Sequence, residues 1–252
     1  MSMLDRKLIR DLARIWAQVL TIALVMACGV ATIIIAVGAY RSLEETRRAF
    51  YDRSRFADVF ASASRAPLGL RSALSAIPGM SRLELRVVMP VLLNIEGMIE
   101  PATAIAVSIP DAGEPTVNGL YLRTGRLPDP LRPDETAVLE TFAAAHGFQA
   151  GDHFEANMNG RMRTLTISGI VLSPEYVYAI GPGDMVPDQR RFGVLFMPKS
   201  SLDSIFDMAG AFNDMAAMTM LSADSPAIFD RIDSILRPYG GIGAHGRDQQ
   251  VS

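Results

Sequence analysis

The sequence has few of the residues that most catalytic and metal-binding sites use. Among 252 residues there is one cysteine, Cys28, and there are three histidines, His146, His153 and His245. No Gly-x-Ser-x-Gly, His-Glu-x-x-His or P-loop motif occurs. Because Cys28 lies in an apolar run, a cysteine nucleophile or a disulfide elsewhere is excluded. We therefore predict no catalytic, cofactor-binding or metal-ligating residue, and a protein that is not an enzyme.

The histidines have structural explanations. His146 ends a helix-like segment, where a cation or hydrogen-bond donor is favoured. His146 and His153 flank a turn that contains Asp152, but their spacing matches no standard zinc pattern. We interpret the histidines as structural, with a weak metal site at His146 and His153 as the alternative.

Positive charge is not in excess. From Arg41 onwards the chain has 20 basic and 25 acidic residues. In the whole chain only Lys7 and Lys199 are lysines, and the other basic residues are arginines. A nucleic-acid surface requires clustered positive charge. We therefore expect no nucleic-acid partner.

One long run carries no charged side chain. It extends over 26 residues, from Ile15 to Tyr40. At about 1.5 Å per residue, a helix of this length exceeds a hydrocarbon core of ~30 Å. The apolar region of a secretory signal is shorter, about 7–15 residues. The run predicts a transmembrane helix in a lipid bilayer.

Val25 to Cys28, with the sequence V-M-A-C, is similar to a lipoprotein cleavage box. Twelve uncharged residues, Gly29 to Tyr40, follow the cysteine. Cleavage would leave a lipid-modified N-terminus that still carries half a span. We therefore prefer a permanent helix in which Cys28 is a small apolar residue.

The flanking charges do not decide the orientation of the span. Four basic residues precede it and five follow it up to Arg55, so the positive-inside rule is indecisive. Long domains translocate largely regardless of charge, which allows the C-terminal part to lie outside the cell membrane.

The remaining chain alternates strand-like and helix-like segments, which predicts an α+β fold. The segment 225–236 is the clearest helix, with Ser225 as its N-cap and Pro226 at its first position. A second helix is predicted from Asp134, as N-cap, to Gly147. Asn159-Gly160 predicts a hairpin, with a bulge because the apolar residues of its two arms do not pair cleanly.

A long loop, residues 173–191, is rich in proline and glycine. It carries four apolar or amphipathic side chains, at Tyr176, Tyr178, Ile180 and Met185. Long irregular loops are often functional, and exposed aromatic residues suit partner contacts. The alternative is that these side chains cover the domain's own core.

The order of motifs resembles that of a known family. "FADVFAS" follows the span and the charged segment after it, and "TGRLPDPLRPDETAVLETFAAAHGFQAGD" comes later, followed by "NGRMRTLTISGIVLSPEYVY" and "FGVLFM". This order resembles the MacB-type periplasmic core domain of FtsX-like ABC transporter permeases.

The resemblance implies a bacterial inner-membrane protein with a two-lobed periplasmic domain, in which a porter-like α/β lobe carries an inserted β-rich lobe. It implies a permease subunit that couples ATPase-driven motion to the periplasm for export or mechanotransmission. The implied partners are a cytoplasmic ABC ATPase, a second permease copy and a periplasmic partner, with no cofactor.

The expected domains can be given along the chain. They are an amphipathic cytoplasmic or interfacial segment (1–14), a transmembrane helix (15–40), a helical stalk (41–55), the core domain (56–240, inserted lobe about 111–209) and a tail (241–252). Permeases of this family carry further spans, so we expect the tail to lead to a second span that this sequence lacks. The alternative function is a single-pass sensor or partner-binding domain.

Overall fold

The computed structural model describes residues 16–53, 55–177, 181, 188–220 and 223–250. The chain divides into two compact units, residues 1–50 and 51–252. The expected segment 1–14 lies outside the described residues. The α+β fold is confirmed: an apolar N-terminal helix precedes a mixed domain.

Helix α1, Trp16–Arg53, runs without a break through residues of the expected span (15–40) and of the expected stalk (41–55). Its apolar part, Trp16–Ser42, is 27 residues long with a mean hydropathy of 2.7, and none of it is buried in the protein. In the described residues it is the one helix long and apolar enough to cross a membrane. The hydroxyls of Thr21 and Thr32 donate to the carbonyls of Ala17 and Cys28, so neither is left unpaired on an apolar surface.

The other helices and strands of the described residues belong to the second unit. The helices are α2 (Arg71–Ser75), α3 (Glu140–His146), α4 (Lys199–Phe206) and α5 (Ser225–Leu236). The strands are β1 (Val59–Pro67), β2 (Met80–Arg86), β3 (Val88–Asn94), β4 (Ala102–Ile109), β5 (Tyr121–Gly125), β6 (Glu135–Leu139), β7 (His153–Met158), β8 (Arg161–Leu172), β9 (Phe192–Pro198), β10 (Ala211–Thr219) and β11 (Ile242–Gly246).

The first sheet is antiparallel, with the strand order β11-β1-β10-β2. Helix α5 packs on it through Ile228, Ile232 and Leu236, which are at most 2% exposed. These residues repeat at helical spacing, so one face of α5 is apolar and lies on the sheet.

The second sheet has the order β5-β8-β6-β9-β4-β3-β7. Strand β7 also pairs with β8, so six of the seven strands form a closed ring of pairings and β5 extends it at β8. We call this ring the barrel. Its core includes Phe142 of α3 and Leu202 of α4, both fully buried.

A single residue, Val87, connects the two sheets between β2 and β3. Its amide donates to Ser108 Oγ at 2.8 Å, and Ser108 N donates to its carbonyl at 2.8 Å. The next residue, Val88, is held through its backbone by the side-chain amide of Asn213 at 2.7 and 2.8 Å. The crossing is therefore fixed by hydrogen bonds on both sides.

The barrel begins earlier in the chain than the expected inserted lobe, about 111–209. Strands β3 and β4 pair within the barrel, which therefore begins at Val88, and the bounds of the lobe stay a prediction. The chain passes from β2 in the first sheet to β3 in the barrel through one apolar residue. The hydrophobic pattern of this segment therefore does not indicate where the chain leaves one sheet and enters the other.

Two local expectations were wrong. Asp134 caps no helix, because residues 135–139 form β6 and the helix begins at Glu140. Ser225 is the first residue of α5, and its N-cap position is Asp224. Within residues 241–252, β11 pairs with β1.

The hairpin of β7 and β8 has the expected turn but not the expected bulge. Asn159 and Gly160 have φ of 52° and 76°, the left-handed values of a type I′ turn. Pairing is regular from Met158–Arg161 to His153–Thr166. A register shift occurs instead where β6 meets β8, between Thr136 and Ala137.

Candidate functional site: a charge cluster between the sheets

Three charged side chains meet where the first sheet adjoins the barrel. Arg86 and Asp214 are cross-strand partners at the end of β2 and on β10. Arg86 Nε donates to Asp214 Oδ1 at 2.7 Å. The Arg86 side chain is 7% exposed and that of Asp214 is 20% exposed. The pair is therefore largely removed from water.

The third member, Glu175, comes from the segment that follows β8 of the barrel. Arg86 Nη1 and Nη2 donate to its two carboxylate oxygens at 2.5 and 2.8 Å. The Glu175 side chain is 2% exposed. This two-pronged contact makes the cluster a direct bond between the first sheet and the barrel.

Asn118 connects Glu175 to the start of the domain. Its Nδ2 donates to Glu175 at 2.6 Å, and its Oδ1 accepts the amide of Ala57 at 2.7 Å. The Asn118 amide donates to the carbonyl of Arg55 at 2.9 Å. Asn118 has φ of 53°, a left-handed value that asparagine tolerates better than most residues. One buried amide thus links the residues just after α1 to the charge cluster.

The cluster contains two carboxylates and one guanidinium. Burial lowers the pKa of Arg86, but Asp214 and Glu175 outweigh it and raise this pKa well above its ordinary value. Burial also raises the pKa of the Asp214 carboxyl, against the opposing effect of Arg86. Burial and the nearby Glu175 raise the pKa of Tyr176 well above 10.0. Arg86 is therefore a fixed cation, and burial makes the charged form of Asp214 costly.

Arg247, at the C-terminal side of β11, contacts three consecutive residues that precede β1. Its guanidinium donates to the carbonyls of Phe56 and Ala57 and to Asp58 Oδ1, at 2.9, 3.1 and 2.8 Å. It also lies 5.0 Å from the centre of the Phe56 ring. We call these four residues the Arg247 clamp. It holds the two ends of the domain side by side.

The geometry of these groups suits mechanical connection. They are bonded to one another, and none is a serine, cysteine or histidine placed beside a general base. In the described residues no group of three or more His, Cys, Asp or Glu side chains could hold a metal ion. The cluster joins side chains, and the clamp joins a side chain to backbone, from separate parts of the chain, which couples the positions of those parts.

The histidines of the sequence prediction lie apart from the charge cluster, except for His245. His146 ends α3, and its Nε2 lies 2.9 Å from the carbonyl of Arg190, so it donates there. His153 begins β7 and is exposed. His245 stacks on Phe60 at 6.0 Å between ring centres, beside the cluster, where it slightly opposes the rise in the pKa of Asp214.

The long loop is only partly described. Tyr176 is 8% exposed and packs edge-on against Phe196 at 6.2 Å, so it covers the domain's own core. Tyr178, Ile180 and Met185 lie outside the described residues.

Sequence reasoning missed all three charged residues of the cluster. A weak signal was available: Arg86 follows Leu83 and Leu85 in β2, so strand alternation places it on the opposite face from them. Because Arg82 and Glu84 lie on the same face as Arg86, the sequence predicts that this face is exposed to solvent. Only the arrangement of the two sheets shows that it is covered.

No family model matches the sequence, and no curated protein sequence matches it. The fold is similar to that of the periplasmic region of MacB from Actinobacillus actinomycetemcomitans, with 13% identity, a TM-score of 0.46, and 78% of this chain and 92% of that chain covered. It is also similar to that of the extracellular domain of the noncanonic ABC-type transporter YknZ from Gram-positive bacteria. There the identity is 10%, the TM-score is 0.48, and the coverage is 74% and 98%.

Proposed function

We propose that this chain is the membrane-anchored, extracytoplasmic portion of an ABC-type permease subunit in a bacterial inner membrane. In this role it catalyses no reaction. It passes motion, driven by a separate cytoplasmic ATPase, into the two-sheet domain, for export or for mechanical signalling. The alternative role is a single-pass sensor that binds a partner.

The observation that carries the proposal is the position of the two ends of the domain. Gly246 of β11 is the register partner of Val59 of β1, and the Arg247 amide donates to the carbonyl of Asp58 at 3.1 Å. A domain whose ends are adjacent can be carried between membrane segments, because the chain enters and leaves at one place. Because the Arg247 clamp bonds the two ends to each other, we expect a displacement of one end to move the other.

The apolar part of α1 supports the membrane anchor. Side chains along it are exposed, for example Ile22 at 64% and Ile35 at 70%. A contiguous apolar surface of this length is unfavourable in water and favourable in a bilayer. The same helix continues through charged sequence to Arg53, which gives the domain a direct connection to the span.

The polar contacts offer a route for motion inside the domain. Ala57 bonds to Asn118, Asn118 bonds to Glu175, and Glu175 bonds to Arg86 on the other sheet. A shift of the first residues after α1 therefore acts directly on the contact between the sheets. We propose that this junction is where the domain responds.

Copurification tests the proposal. The full protein is tagged in its native host, crosslinked in intact membranes and purified, and the recovered proteins are identified by mass spectrometry. We expect an ATPase subunit with a P-loop motif. We expect the ATP hydrolysis of that subunit to fall with Arg247→Ala. The matched control is Arg231→Ala, because Arg231 is exposed on α5, and this variant should leave the hydrolysis unchanged.

One result would contradict the permease role, and another would contradict only the coupling through the Arg247 clamp. Recovery without any ATPase favours the single-pass sensor. Recovery of an ATPase whose hydrolysis is the same with Arg247→Ala and with Arg231→Ala shows that the clamp does not couple the domain to the ATPase.

A further inference from the structure

A groove of about 1200 Å³ opens on the barrel, away from the charge cluster. It is lined by the ends of β3 and β7, the end of α3 and the segments around residues 95–98 and 188–191. Its apolar lining consists of Ile95, Met98, Phe148 and Phe154. We call it the ring groove. Mouths of barrels are frequent ligand sites, and small-molecule pockets are commonly about 300–1,000 Å³, so this groove has room for a larger ligand.

Three rings form a continuous stack along the groove. The ring centres of His146 and Phe148 are 5.5 Å apart at 29°, and those of Phe148 and Phe154 are 5.7 Å apart at 27°. Phe154 is buried, while Phe148 is partly exposed. The bond from His146 Nε2 to the Arg190 carbonyl fixes one end of the stack. The groove therefore exposes part of the His146 and Phe148 rings, while Phe154 belongs to the core of the barrel.

Three carboxylates and two guanidiniums line the groove: Glu96, Glu155, Asp188, Arg190 and Arg191. Asp188 accepts the backbone amides of Arg190 and Arg191, and Arg191 pairs with Glu100 outside the groove. Glu96 and Glu155 form no ion pair in the described part of the chain, and Glu155 accepts one hydrogen bond, from Asn94 Nδ2 at 3.0 Å. Glu96 and Glu155 are therefore the carboxylates available to a cationic ligand.

We propose that the ring groove binds a polypeptide segment that carries basic side chains next to apolar or aromatic ones. The carboxylates of Glu96 and Glu155 complement arginine or lysine. The partly exposed rings of His146 and Phe148 offer aromatic surface for cation–π and apolar contacts. This site is separate from the Arg247 clamp and does not depend on the permease role.

Binding can be measured with a defined probe. A fluorescently labelled Lys-Phe-Lys-Leu-Lys-Phe peptide is titrated against the full protein in phosphatidylcholine nanodiscs, and its anisotropy is recorded. We expect saturable binding that weakens as salt increases, because the rim charges are exposed. A Glu-Phe-Glu-Leu-Glu-Phe peptide should not bind.

Variants locate the site. We expect Glu96→Gln and Glu155→Gln each to weaken binding about two- to fivefold, as for exposed ion pairs, and Phe148→Ala to weaken it more. Glu114→Gln, an exposed carboxylate that does not line the groove, should leave the affinity unchanged. Because the two Gln variants change only exposed side chains, the site stays testable if Phe148→Ala does not fold.

Several outcomes would overturn the proposal. They are equal binding of the acidic peptide, no binding of the basic peptide, or the same affinity for Glu96→Gln, Glu155→Gln and Glu114→Gln.

Discussion

Arg86 is the residue on which the contact between the two sheets depends most directly. It is buried, and it forms hydrogen bonds to a carboxylate on its own sheet and to one from the barrel. Removing one partner of a buried ion pair is more costly than removing the whole pair, because the remaining charge is left without compensation. Here two carboxylates would be left.

We predict that Arg86→Met lowers the free energy of unfolding by about 3–5 kcal/mol, the range for breaking a buried pair. The full protein is unfolded in detergent by urea and followed by circular dichroism. Arg82→Met changes an exposed arginine on the same strand and should stay within about 0.5 kcal/mol of the parent. Equal effects of the two changes would contradict the assignment.

Asp214 gives the cluster a pH dependence. Burial raises its pKa in the folded protein above the ordinary 3.8. Between the unfolded and the folded pKa, the folded state binds more protons, so stability falls as pH rises through this window. We predict that the parent loses stability relative to Asp214→Asn as pH rises from 3.8. Thermal unfolding of both proteins over this range measures the difference.

Glu135 provides a comparison of opposite sign. A hydrogen bond from Arg126 lowers the pKa of its carboxyl below 4.5. Its contribution to stability is present above pH 4.5 and is lost as pH falls through the lower folded value. The parent should therefore gain stability relative to Glu135→Gln as pH rises. For each variant, the stability difference from the parent is plotted against pH. If the two plots had slopes of the same sign, the raised pKa of Asp214 would be wrong.

Among the elements, β5 depends on two glycines where it joins the barrel. Gly125 and Gly169 are register partners on β5 and β8. A Cβ on Gly169 would lie 2.4 Å from the carbonyl oxygen of Arg126, and one on Gly125 would lie 2.3 Å from that of Ser168. Both contacts are with backbone, which has little freedom to move.

We predict that Gly169→Ala destabilises the domain by about 1–3 kcal/mol, the range for overpacking, and that amides of β5 exchange faster with solvent. Hydrogen exchange read by mass spectrometry resolves this strand. Gly69→Ala is the matched control, because no atom lies within 4 Å of its added Cβ. If the hydrogen exchange of β5 were unchanged in Gly169→Ala, the pairing of β5 with β8 would tolerate the added Cβ, and the prediction would be wrong.

The elements that could be predicted are those whose pattern is local. Helix α5 has its apolar side chains at helical spacing, and Asn159-Gly160 specifies its own turn. Strand β6, Glu135–Leu139, was missed because all five of its residues are buried, so it lacks the polar–apolar alternation that separates a strand from a helix. Strand β11 was missed because its glycines hide its strand character.

The charge cluster could not be predicted, for a different reason. Arg86 and Glu175 are 89 positions apart and meet only because Val87 carries the chain from one sheet to the other. No local pattern specifies that meeting. The aromatic stack of the ring groove was similarly hidden, although His146, Phe148 and Phe154 lie close together in the sequence.

For the whole molecule, the central property is the side of the membrane on which the domain lies. The apolar part of α1 supports the membrane anchor, and the extracytoplasmic side belongs to the proposed function. The flanking charges leave the orientation open. The side on which the domain lies decides between this account and a cytoplasmic role.

Cysteine labelling tests this most directly, because Cys28 is the one native cysteine. Cys28→Ser is combined with Ser81→Cys, at an exposed position of β2, or with Ser2→Cys in the N-terminal segment. Spheroplasts are treated with a membrane-impermeant maleimide before or after lysis. We expect Ser81→Cys to be labelled before lysis and Ser2→Cys only after lysis. Labelling of Ser81→Cys only after lysis would contradict it.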